Sequence, residues 1–185
     1  MWEEIESDLS DSMNKAIDSL KYQLTRVRTG RASESVLDGI TVDYYGTLSP
    51  INQVGQVSTP EARLLQIQPY DKTMIASIEK AIMAANIGAT PSNDGNIVRI
   101  PFPALTEEKR KQQVKEIKKL GEDAKIGIRN IRREQNEAIK KAEKDKKISE
   151  DELKKYQNNI QEITDKFVKE TDQIILAKEK EIFTI

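Results

Sequence analysis

Apolar residues in the first thirty positions fall at Ile5, Leu9, Met13, Ile17, Leu20, Leu24 and Val27. Steps of three and four draw one stripe down an amphipathic helix. Thr29-Gly30 is expected to end it, because glycine takes the left-handed C-terminal position without strain. A second pattern opens at Thr106, a good N-cap, followed by Glu107 and Glu108, whose charges complement the helix dipole. Its seam is Val114, Ile117, Gly121, Ala124, Ile128, Ile131, Gln135, Ala138 and Ala142. Carried to residue 146, this helix would be roughly 60 Å long. Ser149-Glu150-Asp151-Glu152 is a capping box and starts a third helix. Leu153, Tyr156, Ile160, Ile163, Phe167, Ile174 and Ala177 form its seam. Three long stripes can be buried only against one another, which predicts an elongated antiparallel three-helix bundle.

The middle follows another rule. All six prolines lie between Pro50 and Pro103, and six of the eight glycines lie between Gly30 and Gly95. Ile40 to Tyr45 alternates β-branched and aromatic residues and stops at Gly46, like a strand and turn. Val54–Ser58, Leu64–Gln68 and Ile97–Ile100 are further strand candidates. Asp71 caps a helix carrying Met74, Ile75, Ile78, Ala81, Ile82 and Ala85, and Asn93-Asp94-Gly95 is a hairpin turn. Of Tyr44 and Tyr45, one is expected in the core and the other on an open strand face. The reading is therefore α+β: a bundle from 1–29 and 106–185, and a small β/α/β domain inserted at 30–105. The chain crosses between them at Thr29, Gly30, Arg31 and Ala32, and again at Pro101, Phe102, Pro103, Ala104, Leu105 and Thr106. Gly30 loosens the first crossing and the prolines extend the second, so a hinge is expected there.

Composition removes many chemistries. The 185 residues include no His and no Cys, which excludes disulfides, Cys/His zinc sites, Ser-His-Asp triads and Cys-His dyads. Neither GxxxxGK[ST] nor GxGxxG occurs. Paired acids sit at helix starts, where dipole and cap roles explain them. No enzyme, metal site or cofactor is expected. No apolar run is long enough to span a membrane, and MWEEIESDLS lacks the basic and apolar regions of a signal peptide. A cytoplasmic protein is the expectation.

Charge then points to a partner. The formal net charge is −1, but residues 109–133 hold ten bases against three acids. On a helical wheel Lys111, Lys115, Lys118, Lys125, Arg129, Arg132 and Arg133 share one sector, interrupted by Glu122. Lys140, Lys144 and Lys147 extend it. A basic edge along a rod suits a phosphate backbone. Arg129-Asn130-Ile131-Arg132-Arg133 is its densest element, and arginine binds phosphate through two parallel hydrogen bonds. No aromatic residue interleaves the edge, so recognition of backbone and shape is expected rather than stacking on bases. A coiled-coil adaptor for protein partners and a general nucleic-acid chaperone are the competing readings.

Several segments together resemble the bacterial ribosome recycling factor family. They are Arg28-Thr29-Gly30-Arg31-Ala32, Val42-Asp43-Tyr44-Tyr45-Gly46, Asn52-Gln53-Val54, Lys80-Ala81-Ile82, Ile100-Pro101 through Leu105-Thr106-Glu107-Glu108, and Arg129-Asn130-Ile131-Arg132-Arg133. Their order, spacing and total length carry the likeness; Lys109, Gly55 and Ala85-Asn86-Ile87-Gly88 depart from the usual pattern. The resemblance implies an L-shaped molecule without catalytic activity. It implies binding to the large ribosomal subunit after termination and subunit splitting together with elongation factor G and GTP. Ribosomal RNA contacts would come from Arg129, Arg132 and Arg133, with Lys118 and Lys125 adding to the field. Arg110, Arg28 and Arg31, beside the crossings, would add contacts there. The bundle seams are used internally, so a monomer is expected.

Overall fold

Leu9, Met13 and Ile17 are sealed from solvent along one face of α1 (Trp2–Thr25), as the stripe requires. The structure, a computed structural model, describes residues 1–27 and 29–184. It divides into two compact units, Met1–Val27 with Lys111–Phe183 and the inserted Arg28–Arg110.

The first unit consists of α1, most of α4 (Glu107–Lys144) and α5 (Glu150–Phe183). Trp2 stacks on Tyr156 at 5.0 Å, and Lys21 reaches Glu170, so α1 and α5 run parallel. The helix between them runs the other way, with Lys118 opposite Glu179 and Lys125 opposite Asp172. Ile128, Ile139 and Ile160 join Leu9, Met13 and Ile17 in one core cluster. Leu20, Leu24, Val27, Ile117, Ile175 and Ile182 form another. At Gly121 a Cβ would stand 2.6 Å from Ile175 Cγ1, so α4 and α5 pack there at a distance only glycine permits.

Three expectations for the long helices need correction. First, α1 ends at Thr25, not at Thr29-Gly30. The Thr25 hydroxyl donates to the Tyr22 carbonyl at 2.6 Å, and Arg26 N–H bonds back to Gln23, which tightens and closes the last turn. Gly30 does take a left-handed conformation, at φ 76°, but beyond the helix. Second, the α4 seam shifts from Ala138, which is exposed, to the buried Ile139. A straight helix drifts about 20° per heptad against a 3.5-residue repeat, and three heptads move the buried position by one residue. Third, Ala177 is exposed, and the inner face of α5 includes Thr164, Thr171, Ile175 and Ile182. Both threonine hydroxyls donate to the carbonyl four residues back, at 2.7 and 2.9 Å, so their burial leaves no donor unpaired.

The inserted unit holds two antiparallel sheets. β1 (Thr41–Tyr44) pairs with β2 (Thr47–Pro50) through a turn in which Tyr45 and Gly46 are both left-handed, at φ 50° and 87°. That geometry matches the twist of a tight hairpin. Ile51–Val54 form a single helical turn, α2, so the expected strand at Val54 begins one residue later. β3 (Gly55–Glu61), β4 (Leu64–Pro69), β5 (Ser92–Asn93) and β6 (Val98–Pro101) form a sheet in the order β3-β4-β6-β5. Asp71 caps a short 3-10 turn that leads into α3 (Ile75–Ala85). Leu65, Ile67, Ile78, Ile82, Val98 and Ile100 are completely buried between this sheet and α3. Tyr44 and Tyr45 are both exposed; Val42 alone turns inward from β1. The molecule is α+β, with three long helices and a small antiparallel-sheet domain.

Candidate nucleic-acid interface

The arginine cluster sits on α4 beside its buried seam. Ile128 is fully buried and Ile131 partly so, which fixes the rotation of this turn and sends Arg129 and Arg133 into solvent. Neither pairs with a carboxylate among the described residues. Arg132 lies half-buried between seam and solvent. Its Nη1 donates to Gln161 Oε1 of α5 at 3.0 Å. Gln161 Nε2 in turn donates to Asp165 Oδ1 at 2.7 Å.

Lys118 and Lys125, the two lysines expected to add to the field, have different surroundings. Lys125 Nζ lies 2.8 Å from both Asp172 Oδ1 and Glu122 Oε1, and only 16% of its side chain is exposed. The hydrogen bonds it donates to Asp172 and then Glu122 raise its pKa above the ordinary lysine value. The ammonium is thereby held charged and already neutralised by carboxylates. Lys118 remains largely exposed, 3.8 Å from Glu179. Lys140, on the extension of the edge, is bound to Glu137 at 2.9 Å. The edge is therefore graded: its densest uncommitted charge is at Arg129 to Arg133.

Of the residues beside the crossings, Arg31 is exposed and Arg110 half-buried. Arg28 lies outside the described residues. Thr106 caps α4, accepting from Lys109 N–H at 3.3 Å on its hydroxyl. Ala32 N–H donates to Ala62 carbonyl and Phe102 N–H to Arg63 carbonyl, each at 2.7 Å. Both crossings are thus fastened at one end to neighbouring residues between β3 and β4. Leu105 packs against Gly30, where an added Cβ would meet its Cγ at 3.0 Å. Pro101 is the last residue of β6. Thr29 is buried, while Pro103 and Ala104 are exposed.

Sequence reading missed Gln161 and Asp165, because it mapped charge around α4 alone. A signal was present: Lys118, Lys125 and Arg132 step by seven along α4, as do Asp165, Asp172 and Glu179 along α5.

Among the described residues no helix is long and apolar enough to cross a membrane. The family model "Ribosome recycling factor" matches residues 20–183. A ribosome-recycling factor of Staphylococcus epidermidis is 50% identical over 182 residues, covering 98% of this chain and 99% of the relative. One of Staphylococcus aureus shows the same identity and coverage. A solution structure of the ribosome recycling factor superposes with a TM-score of 0.78 at 38% identity, covering 100% of this chain and 98% of the other. A ribosome recycling factor of T. thermophilus, placed with elongation factor G of E. coli on the E. coli post-termination complex, superposes with a TM-score of 0.67. It is 39% identical, with 98% of each chain covered.

Proposed function

Since the chain belongs to the ribosome recycling factor family, we propose that it binds the post-termination ribosome and, with elongation factor G and GTP, splits it into subunits for reuse. The observation that carries this reading is half-identity to recycling factors across nearly the whole chain, inserted unit included. The likeness to a structure placed together with elongation factor G supports the partner. The protein itself is a non-enzymatic ribosome-binding factor; GTP hydrolysis belongs to the elongation factor. It works as a monomer in the cytoplasm, where bacterial ribosomes are.

The basic edge of α4 is the anchor, and the large-subunit ribosomal RNA is what it binds. Arg129, Arg132 and Arg133 carry the phosphate contacts, with Arg110, Arg31 and Arg28 contributing beside the crossings. Lys125 adds little, because two carboxylates already hold it. Elongation factor G pushes the inserted unit, and the crossings pass that motion to a stiff helical rod. The pivot lies between the fastened residues and the helices: on the first crossing before Ala32, on the second after Phe102.

Binding to vacant ribosomes and to isolated large subunits, at low and high salt, tests this for wild type and Arg132→Ala. Wild-type affinity is expected to fall with salt along a log–log slope on the order of −3. Losing one charged hydrogen bond costs about 1.5–3 kcal/mol, so Arg132→Ala is expected to bind about ten- to a hundred-fold more weakly. Ribosome binding that ignores the substitution would move the RNA contact off α4. Absence of wild-type binding would remove the proposed function.

A further inference from the structure

Three cations at seven-residue spacing on α4 face α5 in antiparallel register, and the three rungs are closed differently. Lys118 meets Glu179 at 3.8 Å, and Lys125 meets Asp172 at 2.8 Å. The third cation, Arg132, stands opposite Asp165, the next acid in the α5 series. Yet no ion pair joins them among the described residues. Gln161 is interposed, accepting from Arg132 Nη1 at 3.0 Å and donating to Asp165 Oδ1 at 2.7 Å. An amide oxygen orients a guanidinium without cancelling its charge, which a carboxylate in contact would do. Asp165 occupies the amide nitrogen and so fixes which end of Gln161 faces the arginine.

We infer that Gln161 is a positioning residue for RNA binding: it aims the Arg132 guanidinium while keeping its full charge for phosphate. Asp165 serves at one remove, by holding Gln161 in that orientation. One helix face thus stabilises itself with two closed ion pairs and leaves the third cation open to a ligand. Preorganisation of this kind lowers the entropy an arginine loses when it engages phosphate.

The inference rests on the proposed RNA contact by Arg132, so the test separates the two. Purified vacant large ribosomal subunits from a bacterium are titrated over a series of salt concentrations. The proteins are wild type, Gln161→Leu, Gln161→Glu, Arg132→Ala and the doubles combining Arg132→Ala with each Gln161 change. Gln161 is exposed, and retained helical circular dichroism confirms folding of each variant. Gln161→Leu removes the aim but not the charge; affinity is expected to fall several-fold with the salt slope unchanged. Gln161→Glu closes the third rung with a carboxylate; affinity is expected to fall roughly tenfold and the slope to shrink by about 1. Both effects are expected to vanish in the Arg132→Ala background. Wild-type binding by both single Gln161 variants, with Arg132→Ala impaired, would overturn the positioning role and leave the RNA contact standing. An undiminished Gln161→Glu effect in the double variant would also overturn it, since the new charge would then act by simple repulsion. Wild-type binding by Arg132→Ala would overturn the RNA contact and the positioning role together.

Discussion

Ser149 and Glu152 satisfy each other at the start of α5. Ser149 N–H donates to Glu152 Oε2 at 2.8 Å, and Glu152 N–H donates to the Ser149 hydroxyl at 3.2 Å. The donors from Ser149, its backbone N–H foremost, hold the Glu152 carboxyl below its ordinary value. A carboxyl depressed on folding stabilises the fold above its unfolded pKa, and that contribution fades as pH falls through the folded one. Glu152→Gln is therefore expected to melt below wild type near neutral pH, with the gap closing under acid conditions where wild-type Glu152 protonates. Thermal unfolding followed by helical circular dichroism at both extremes of that range checks this; a gap of constant width would refute it. Ser149→Ala is expected to cost about 1 kcal/mol, as loss of an N-cap does. This cap was legible in four consecutive letters because both partners are local. The surroundings of Lys125 were not: its partner Asp172 lies 47 residues away, and only the antiparallel packing of α4 on α5 brings the two together. Likewise Arg132 was legible as a cation on the edge of α4, while the amide that accepts from it, 29 residues away on α5, was not.

At the scale of the helix, two glycines in α4 show how context reverses the sign of one substitution. Alanine is favoured over glycine inside a helix by about 1 kcal/mol. A Cβ at Gly127 would meet nothing within 4 Å, so Gly127→Ala is expected to stabilise the protein by up to about 1 kcal/mol. At Gly121 the same atom would stand 2.6 Å from Ile175 Cγ1 and 3.0 Å from its Cδ1. The inner carbon of a β-branched side chain cannot swing aside, and overpacking costs about 1–3 kcal/mol. Gly121→Ala is expected to be net destabilising by about 1 kcal/mol, after its helical gain. Opposite shifts of the denaturation midpoint in urea would bear out the pair. The same packing explains what pattern-reading of the helices captured. Large apolar residues at Leu9, Met13, Ile117 and Ile128 announced the seam without ambiguity. Ala138 and Ala177 did not, because alanine is at home on either face of a helix and carries little information about its side. Thr164 and Thr171 were invisible as core residues because their hydroxyls find partners only after the helix exists.

The whole molecule carries two separate sets of buried residues, and the proposed function asks for two bodies. Leu65, Ile67, Ile78, Ile82, Val98 and Ile100 close the inserted core, while the bundle helices close their own clusters from other residues. Proline is confined to one stretch of the chain, and that stretch falls within the inserted unit; the exact crossings were less legible, because α1 stops before Gly30 and Pro101 remains within β6. A factor gripped at one unit and pushed at the other, as proposed above, would gain from cores that do not depend on each other. Load on one then need not melt the hold of the other. Ile82→Ala tests that independence. Ile82 is wholly buried on α3, and truncation there is expected to cost the inserted unit about 2–5 kcal/mol. Amide exchange at β4 and β6 should accelerate accordingly. The sole tryptophan, Trp2, stacks on Tyr156 within the bundle and reports that unit alone. Its fluorescence transition is expected to keep the wild-type midpoint in the variant. A Trp2 midpoint that falls along with the protection of β4 and β6 would mean that the two cores unfold as one. The proposed transmission by rigid bodies would then have to give way to a mechanism in which strain on the inserted unit loosens the bundle helices as well.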